Sequence, residues 1–203
     1  TGAAGWRARG FAKMPGFDSS RVVIEPDGRA TVYISQADAG QAHYTTFAQI
    51  AADRLGLDPM DVTVIEGDTA KTPYGTGTFA SRGSVVGGGT VIRCSQKVAG
   101  KARRIAGYML NVDCDRLVLG GGRIHDRDDA SVGVSMREVA QTAYSMNNLG
   151  MPQGEEHGLE ATDYYDPPMV TMANGMHVVQ VAVDPEDGRV EIERHVLVHD
   201  CGR

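Results

Sequence analysis

A mixed α+β fold, in the broad α/β class, is what the sequence predicts, with antiparallel hairpins packed against two main helices. Three patterns carry that expectation. Short β-favouring runs flank tight turns at Pro26-Asp27-Gly28, Gly120-Gly121-Gly122 and Asp184-Pro185-Glu186-Asp187-Gly188. Two other stretches repeat apolar residues every three or four positions, the helical period. No internal repeat of fixed length competes with this reading.

In chain order, residues 1–20 read as an N-terminal segment cut from a longer chain, since no methionine opens it. Residues 21–203 read as one domain portion. Arg21–Glu25 and Ala30–Ser35 form the first hairpin. Phe47, Ile50, Ala51 and Leu55 then share one helical face, and Gly56 is placed to end that helix in a left-handed cap. Val62, Val64 and Ile65 make a short strand closed by Gly67-Asp68. A polar loop from Gly75 to Ser84 leads into a second helix from about Val85 to Leu110, burying Val91, Val98, Ala102, Ile105 and Met109. Gly87-Gly88-Gly89 near its start costs about 1 kcal/mol per glycine relative to alanine. Either close packing against a neighbour or ligand, or a simple extension of the loop, accounts for it. Lys97, Lys101, Arg103 and Arg104 read as a solvated face.

Arg116–Leu119 and Arg123–His125 form a small hairpin, followed by a polar turn at Asp126–Asp129. Ser135 caps a short helix, with Glu138 at the capping-box position. Met146–Gly158 is a loop, and Leu159–Tyr165 a strand stopped by Asp166-Pro167-Pro168. Gly175–Val183 and Arg189–His199 make the last hairpin.

Composition excludes several functions. A chain of 203 residues with 41% hydrophobic content can bury a core. The net charge of −6 argues against a nucleic-acid partner. No signal peptide or long apolar run marks export or membrane insertion, which predicts a cytoplasmic protein without a membrane partner. Cys94, Cys114 and Cys201 are too scattered for an iron–sulfur or structural zinc site and read as free thiols. His195 and His199 share a strand face but lack partners at metal spacing, and His125, His157 and His177 read as turn or surface residues. Serine hydrolase, zincin and Walker motifs are absent. Gly75-Thr76-Gly77-Thr78-Phe79-Ala80 fits a dinucleotide fingerprint, but about ten residues separate it from the preceding strand, so the match is by chance.

The chemistry concentrates between Asp38 and Gly89, where two glycine-bearing loops each feed a helix. Such junctions offer unpaired N–H groups and a partial positive charge, suited to a phosphate or an extended polar cofactor. Gln41 either contacts such a cofactor or bonds its own loop backbone. Arg82 either forks onto a phosphate or pairs at the surface with Asp68 or Glu66. His43 either donates to an anion or serves the loop.

The pattern GQxHxTTFAQIAAxxLG, an apolar strand, GDT, PYGxGTxxSRG and the final VHDCGR resembles the large subunit of molybdenum hydroxylases. That is the xanthine dehydrogenase and aldehyde oxidase family, closest to its carbon monoxide dehydrogenase-like branch, and the resemblance runs from about Arg9 to Arg203. It implies a fold like that family's molybdenum cofactor-binding domain. The implied cofactor is molybdopterin with molybdenum, in its plain or cytosine dinucleotide form, the branch favouring the latter. Carried over by position, the binding residues are Gly40, Gln41, Ala42 and His43, then Thr78, Phe79, Ser81, Arg82, Gly83 and Ser84. Ala42 stands where the family has glycine. The implied role is the cofactor-holding part of an oxidoreductase that oxidises a purine, aldehyde, N-heterocycle or carbon monoxide with water as oxygen source. An iron–sulfur cluster and FAD would sit on other subunits. Partners would be those subunits and the remainder of the large subunit, with a homo-oligomer also compatible. The family's glutamate base falls beyond Arg203, so no catalytic or metal-ligating residue is expected in this chain, and alone it is expected to be inactive. The alternative is a non-catalytic binding or assembly domain that keeps the fold.

Overall fold

The computed structural model describes residues 16–145, 150–168 and 173–200. They fall into two compact units, one ending at Val170 and a second from Thr171 onward.

In the first unit, alternation of apolar and polar residues builds strands β1 (Asp18–Ile24), β2 (Ala30–Ile34) and β3 (Val62–Ile65). The expected hairpin forms, with β1 antiparallel to β2 and Val22 opposite Val32. Sequence patterning did not foresee that β3 would lie parallel to β2, a pairing that α1 (His43–Leu55) makes possible as the crossover. Strand β7 (Glu160–Tyr165) closes the other side against β1, giving the order β3-β2-β1-β7.

Helix α1 packs against β3 and against α2 (Gly88–Leu110), which itself lies on β1 and β7. The core between them contains Val22, Ile24, Val32, Ile34, Phe47, Ala51, Leu55, Val91, Val98, Ala102 and Ile105. The helical spacing thus buried the expected faces. The regular part of α2 starts later than Val85, because Gly83–Gly87 first makes one wide π-type turn. Close packing explains the glycine triplet. A Cβ on Gly87 would stand 3.0 Å from both Gln36 and Phe47, and one on Gly89 2.3 Å from the Tyr165 ring. The solvated-face expectation for α2 fails at Lys101, which is buried and donates to the His157 carbonyl at 3.4 Å. Its four-carbon stem covers apolar surface while the ammonium finds that acceptor.

Strands β4 (Leu117–Gly120), β5 (Arg123–Asp126) and β6 (Gly133–Ser135) form a small antiparallel sheet. The short β6 was not anticipated, and Asp126 ends a strand, buried and paired with Arg116 at 2.6 Å. Helix α3 (Met136–Ala143) starts at Ser135 with the full capping box. Part of the expected Met146–Gly158 loop lies outside the described residues, as do Cys201 and residues 1–15.

The second unit is a hairpin of β8 (Asn174–Val183) and β9 (Val190–Asp200), with a register shift at Gln180/Val181. His195 and His199 share a face, as strand parity requires, and His177 on the same face meets His195 with Nδ1 and Nε2 3.0 Å apart.

Gly56 ends α1 at φ 66°, with its N–H donating to Ala52 O. A Cβ there would meet Gly120 N at 2.5 Å. Gly56→Ala therefore combines left-handed strain with a clash against backbone, and we expect a loss of about 2–4 kcal/mol. Urea unfolding with an unchanged m-value measures it; a loss under about 0.5 kcal/mol would contradict the packing described.

Candidate functional site

The three strands of the first hairpin and its parallel neighbour end alike. Val22 and Ile24 share parity with Asp18, Val32 and Ile34 with Gln36, and Val62 and Val64 with Glu66. Each core-facing register thus terminates in a polar residue, and all three ends lie at one edge of the sheet. Asp18 and Gln36 are fully buried.

Asp18 is the hub of this edge. Its carboxylate accepts from Gln36 Nε2 at 2.7 Å, from the Ser35 hydroxyl and from the Thr76 amide at 3.3 Å. Arg82, only 6% exposed, pairs with it at 2.9 Å. The same guanidinium donates to the Thr76 hydroxyl, to Gly77 O at 3.0 Å and to Phe17 O at 2.9 Å, and lies over the Phe79 ring at 5.0 Å. Burial lowers the Arg82 pKa from its ordinary range and the Asp18 carboxylate opposes that, so the group stays charged. Neither Asp68 nor Glu66 is its partner. Its terminal nitrogens point into the protein, where they tie the second loop to the first strand.

The first loop is shaped by Asp38, whose Oδ1 accepts from the amides of Gly40 at 3.0 Å and Gln41 at 2.6 Å. Gln41 Oε1 accepts from Ala39 N at 2.6 Å. A backbone N–H can only donate, so the Gln41 oxygen faces inward and its NH₂ group is the part available to a ligand. The loop reading of this residue and the ligand reading are therefore compatible. Ala42, at φ 60°, precedes α1 in a left-handed conformation and gives no side-chain cap. His43, the first helical residue, is buried against Phe47.

The two loops meet. Thr78 Oγ1 donates to Ala37 O at 2.6 Å, and together the loops line a cleft of about 460 Å³. Gln41, His43, Thr78, Phe79, Ser81, Arg82, Gly83 and Ser84 border it, with Thr46, Phe47 and Ile50 as its apolar wall. Gly40 and Ala42 do not border it and shape the loop through positive φ, 102° and 60°. Ala80 and Ser81 add two more left-handed residues, at φ 49° and 59°. Neither α1 nor the π-turn has a side-chain cap, and no acidic residue occupies the first turn of α1 or α2. Among the described residues, none bonds the Ser81 or Ser84 hydroxyl. The cleft is therefore rich in free donors over an apolar wall, which suits an anionic, ring-bearing ligand.

A family model described as the molybdopterin cofactor-binding domain matches residues 3–203. This chain belongs to the molybdopterin cofactor-binding domain family. Among the relatives of this cofactor-binding domain is the carbon monoxide dehydrogenase large chain of Hydrogenophaga pseudoflava, 38% identical over 186 residues, covering 92% of this chain and 23% of that one. The nicotine 6-hydroxylase large subunit of Paenarthrobacter nicotinovorans is 35% identical over 185 residues, 91% of this chain and 22% of the relative. In three dimensions the chain matches quinoline 2-oxidoreductase from Pseudomonas putida 86 with a TM-score of 0.91 and 36% identity, over 100% of this chain and 25% of that one. The molybdopterin cofactor-binding domain chain thus spans about a quarter of the length of these relatives.

The residues present suit the cofactor that the family is described by. Two uncapped helix beginnings, free hydroxyls and the Gln41 amide offer donors to phosphate and pterin oxygens, and Phe47 and Ile50 offer an apolar wall to the ring.

Sequence reasoning found both loops but not the residues beneath them. Asp18, Gln36 and Glu66 could have been found by extending each strand's inward register past its apolar run.

Two outcomes test this geometry. Asp18→Asn leaves the Arg82 charge buried without its counter-charge, and we expect about 3–5 kcal/mol lower stability in urea unfolding; a change near zero would show that the pair is solvated. Ala42→Gly removes left-handed strain and should raise stability by about 0.5–1 kcal/mol, read as a higher unfolding midpoint at constant m-value.

Proposed function

We propose that the cleft binds molybdopterin through Gly40, Gln41, Ala42, His43, Thr78, Phe79, Ser81, Arg82, Gly83 and Ser84. The observation that carries this is the convergence on one cleft of two uncapped helix beginnings and two serine hydroxyls that no described residue bonds. The Gln41 NH₂ and the Ser81 and Ser84 hydroxyls would donate to the cofactor. Arg82 would act by holding the loop in place, and Gly40 and Ala42 by setting the backbone path. The cytosine dinucleotide form is proposed on the resemblance to the carbon monoxide dehydrogenase-like branch alone.

When bound, the molybdenum-bearing group supplies the two-electron redox chemistry by which a substrate gains oxygen from water. The chain's own contribution is to bind, orient and shield that group, and turnover belongs to a complete oxidoreductase. The relatives' descriptions as large chain, large subunit and complex subunit support further subunits as partners, and the family resemblance proposes iron–sulfur and flavin centres on them. Those descriptions name carbon monoxide and nicotine among the relatives' substrates, so the substrate class proposed is a small molecule. No helix among the described residues is long and apolar enough to cross a membrane, which is compatible with the proposed cytoplasmic location.

Metal and pterin analysis of the purified complete oxidoreductase that contains this chain tests the reading. Wild type should carry both in near-stoichiometric amount. Gln41→Ala removes donors to a charged ligand, a loss of about 1.5–3 kcal/mol, and should lower pterin retention after dialysis at least tenfold. A wild-type protein without pterin would refute the proposal, and full retention in Gln41→Ala would remove that contact from it.

A further inference from the structure

His43 is the one ionisable side chain of the cleft that is not locked into the Asp18 hub, and its buried neighbour is unusual. Nδ1 of His43 lies 3.5 Å from Glu66 Oε2, with both side chains nearly inaccessible. Among the described residues, neither atom has a hydrogen-bond partner. The other carboxylate oxygen of Glu66 accepts from the Asp38 amide at 2.8 Å, which holds the carboxylate in place. On the far side of the ring, a Cβ on Gly83 would stand 3.2 Å from Nε2, so that nitrogen faces the start of the π-turn, a wall of the cleft. Phe47 packs on the ring at 4.8 Å between centroids and sets its plane.

We propose that Glu66 is a positioning residue for His43. It keeps a proton on Nδ1, presents Nε2 to the cleft, and lets Nε2 take up a second proton when an anionic group binds there. The proposal rests on the cofactor-cleft reading above and adds a proton to it.

A buried carboxylate oxygen without a donor is costly, and Nδ1 is the donor beside it; closing the gap by a few tenths of an ångström satisfies both atoms. A carboxylate only accepts, so Nδ1 carries hydrogen whether the ring is neutral or charged. In the neutral ring Nε2 is then a bare acceptor, mismatched to an anion, and a proton there converts it to a charged donor. The surrounding charges allow this. From the strand end the ring meets Glu66. From the loop before α1, Asp38 is engaged by the Gly40 and Gln41 amides. From the π-turn, Arg82 is turned onto Asp18, and Gln36 beside Gly83 is uncharged. The sign follows from linkage: binding that takes up a proton weakens as pH rises, by at most about tenfold per pH unit for one proton.

Inorganic sulfate is the probe, because it stays doubly charged near neutral pH, so any proton taken up on binding belongs to the protein. Calorimetric titration of the cofactor-free protein in two buffers of different ionisation heat gives protons taken up per sulfate. Wild type should take up a large fraction of one proton, and Glu66→Gln and His43→Gln should each at least halve it while sulfate still binds. Equal uptake in wild type and Glu66→Gln overturns the role of Glu66. Sulfate binding without proton uptake in wild type overturns the proton coupling and leaves the cofactor cleft standing. No sulfate binding, together with absence of pterin from the purified protein, overturns both. Should Glu66→Gln fail to fold, ¹⁵N-histidine spectra of the wild type decide alone: a neutral His43 protonated on Nδ1 is expected, and one protonated on Nε2 overturns the proposal.

Discussion

The buried pair of Asp18 and Arg82 is the constraint on which the cleft depends. A charged pair removed from water gains little net stability over well-packed apolar residues, because desolvation offsets most of the attraction. What it supplies is geometry. Arg82 reaches from the second loop to the first strand and binds backbone oxygens of two separate segments as it does so. Asp18 in turn engages Gln36 at the end of the neighbouring strand. One ion pair therefore fixes the second loop, the sheet edge and the beginning of the π-turn relative to each other. The loop's own chain, rich in glycine and threonine, offers only Phe79 and Ala80 as apolar residues, and both are only part-buried.

Rigidity of that kind permits backbone strain nearby. Ala42, Ala80 and Ser81 all sit in the left-handed region without being glycine, at a cost of order 1 kcal/mol or more each. They cluster at the two loops that border the cleft. The π-turn works in the same direction, since it carries the helical path of α2 back to Gly83 and Ser84, which line the cleft with no side-chain cap before them. Close packing at Gly87 and Gly89 lets α2 approach Gln36, Phe47 and Tyr165 closely enough for both helix beginnings to share one space.

The same polar edge holds a second, looser pair. His43 and Glu66 sit under the first loop as Asp18 and Arg82 sit under the second, yet their facing atoms are 3.5 Å apart and otherwise unpaired among the described residues. The contrast is physical: arginine's forked donors can saturate several acceptors and stay charged, whereas imidazole can change its proton count. One pair is suited to structure and the other to response.

Local chemistry in the sequence determined the hairpins, the buried faces of α1 and α2, the Gly56 cap and the Ser135 capping box, because each depends on residues a few positions apart. It also determined which two loops carry the donors, and the motif order within them pointed to the family. Tertiary structure alone decided that β3 runs parallel to β2, that Lys101 is buried and that the glycine triplet serves packing. It alone decided that Arg82 serves Asp18, 64 positions away in sequence number (82 minus 18). Strand parity marks Asp18, Gln36 and Glu66 as inward-facing, but parity cannot say what an inward polar group will meet. That partner is set by which strand ends the sheet brings to one edge, and no local pattern encodes it.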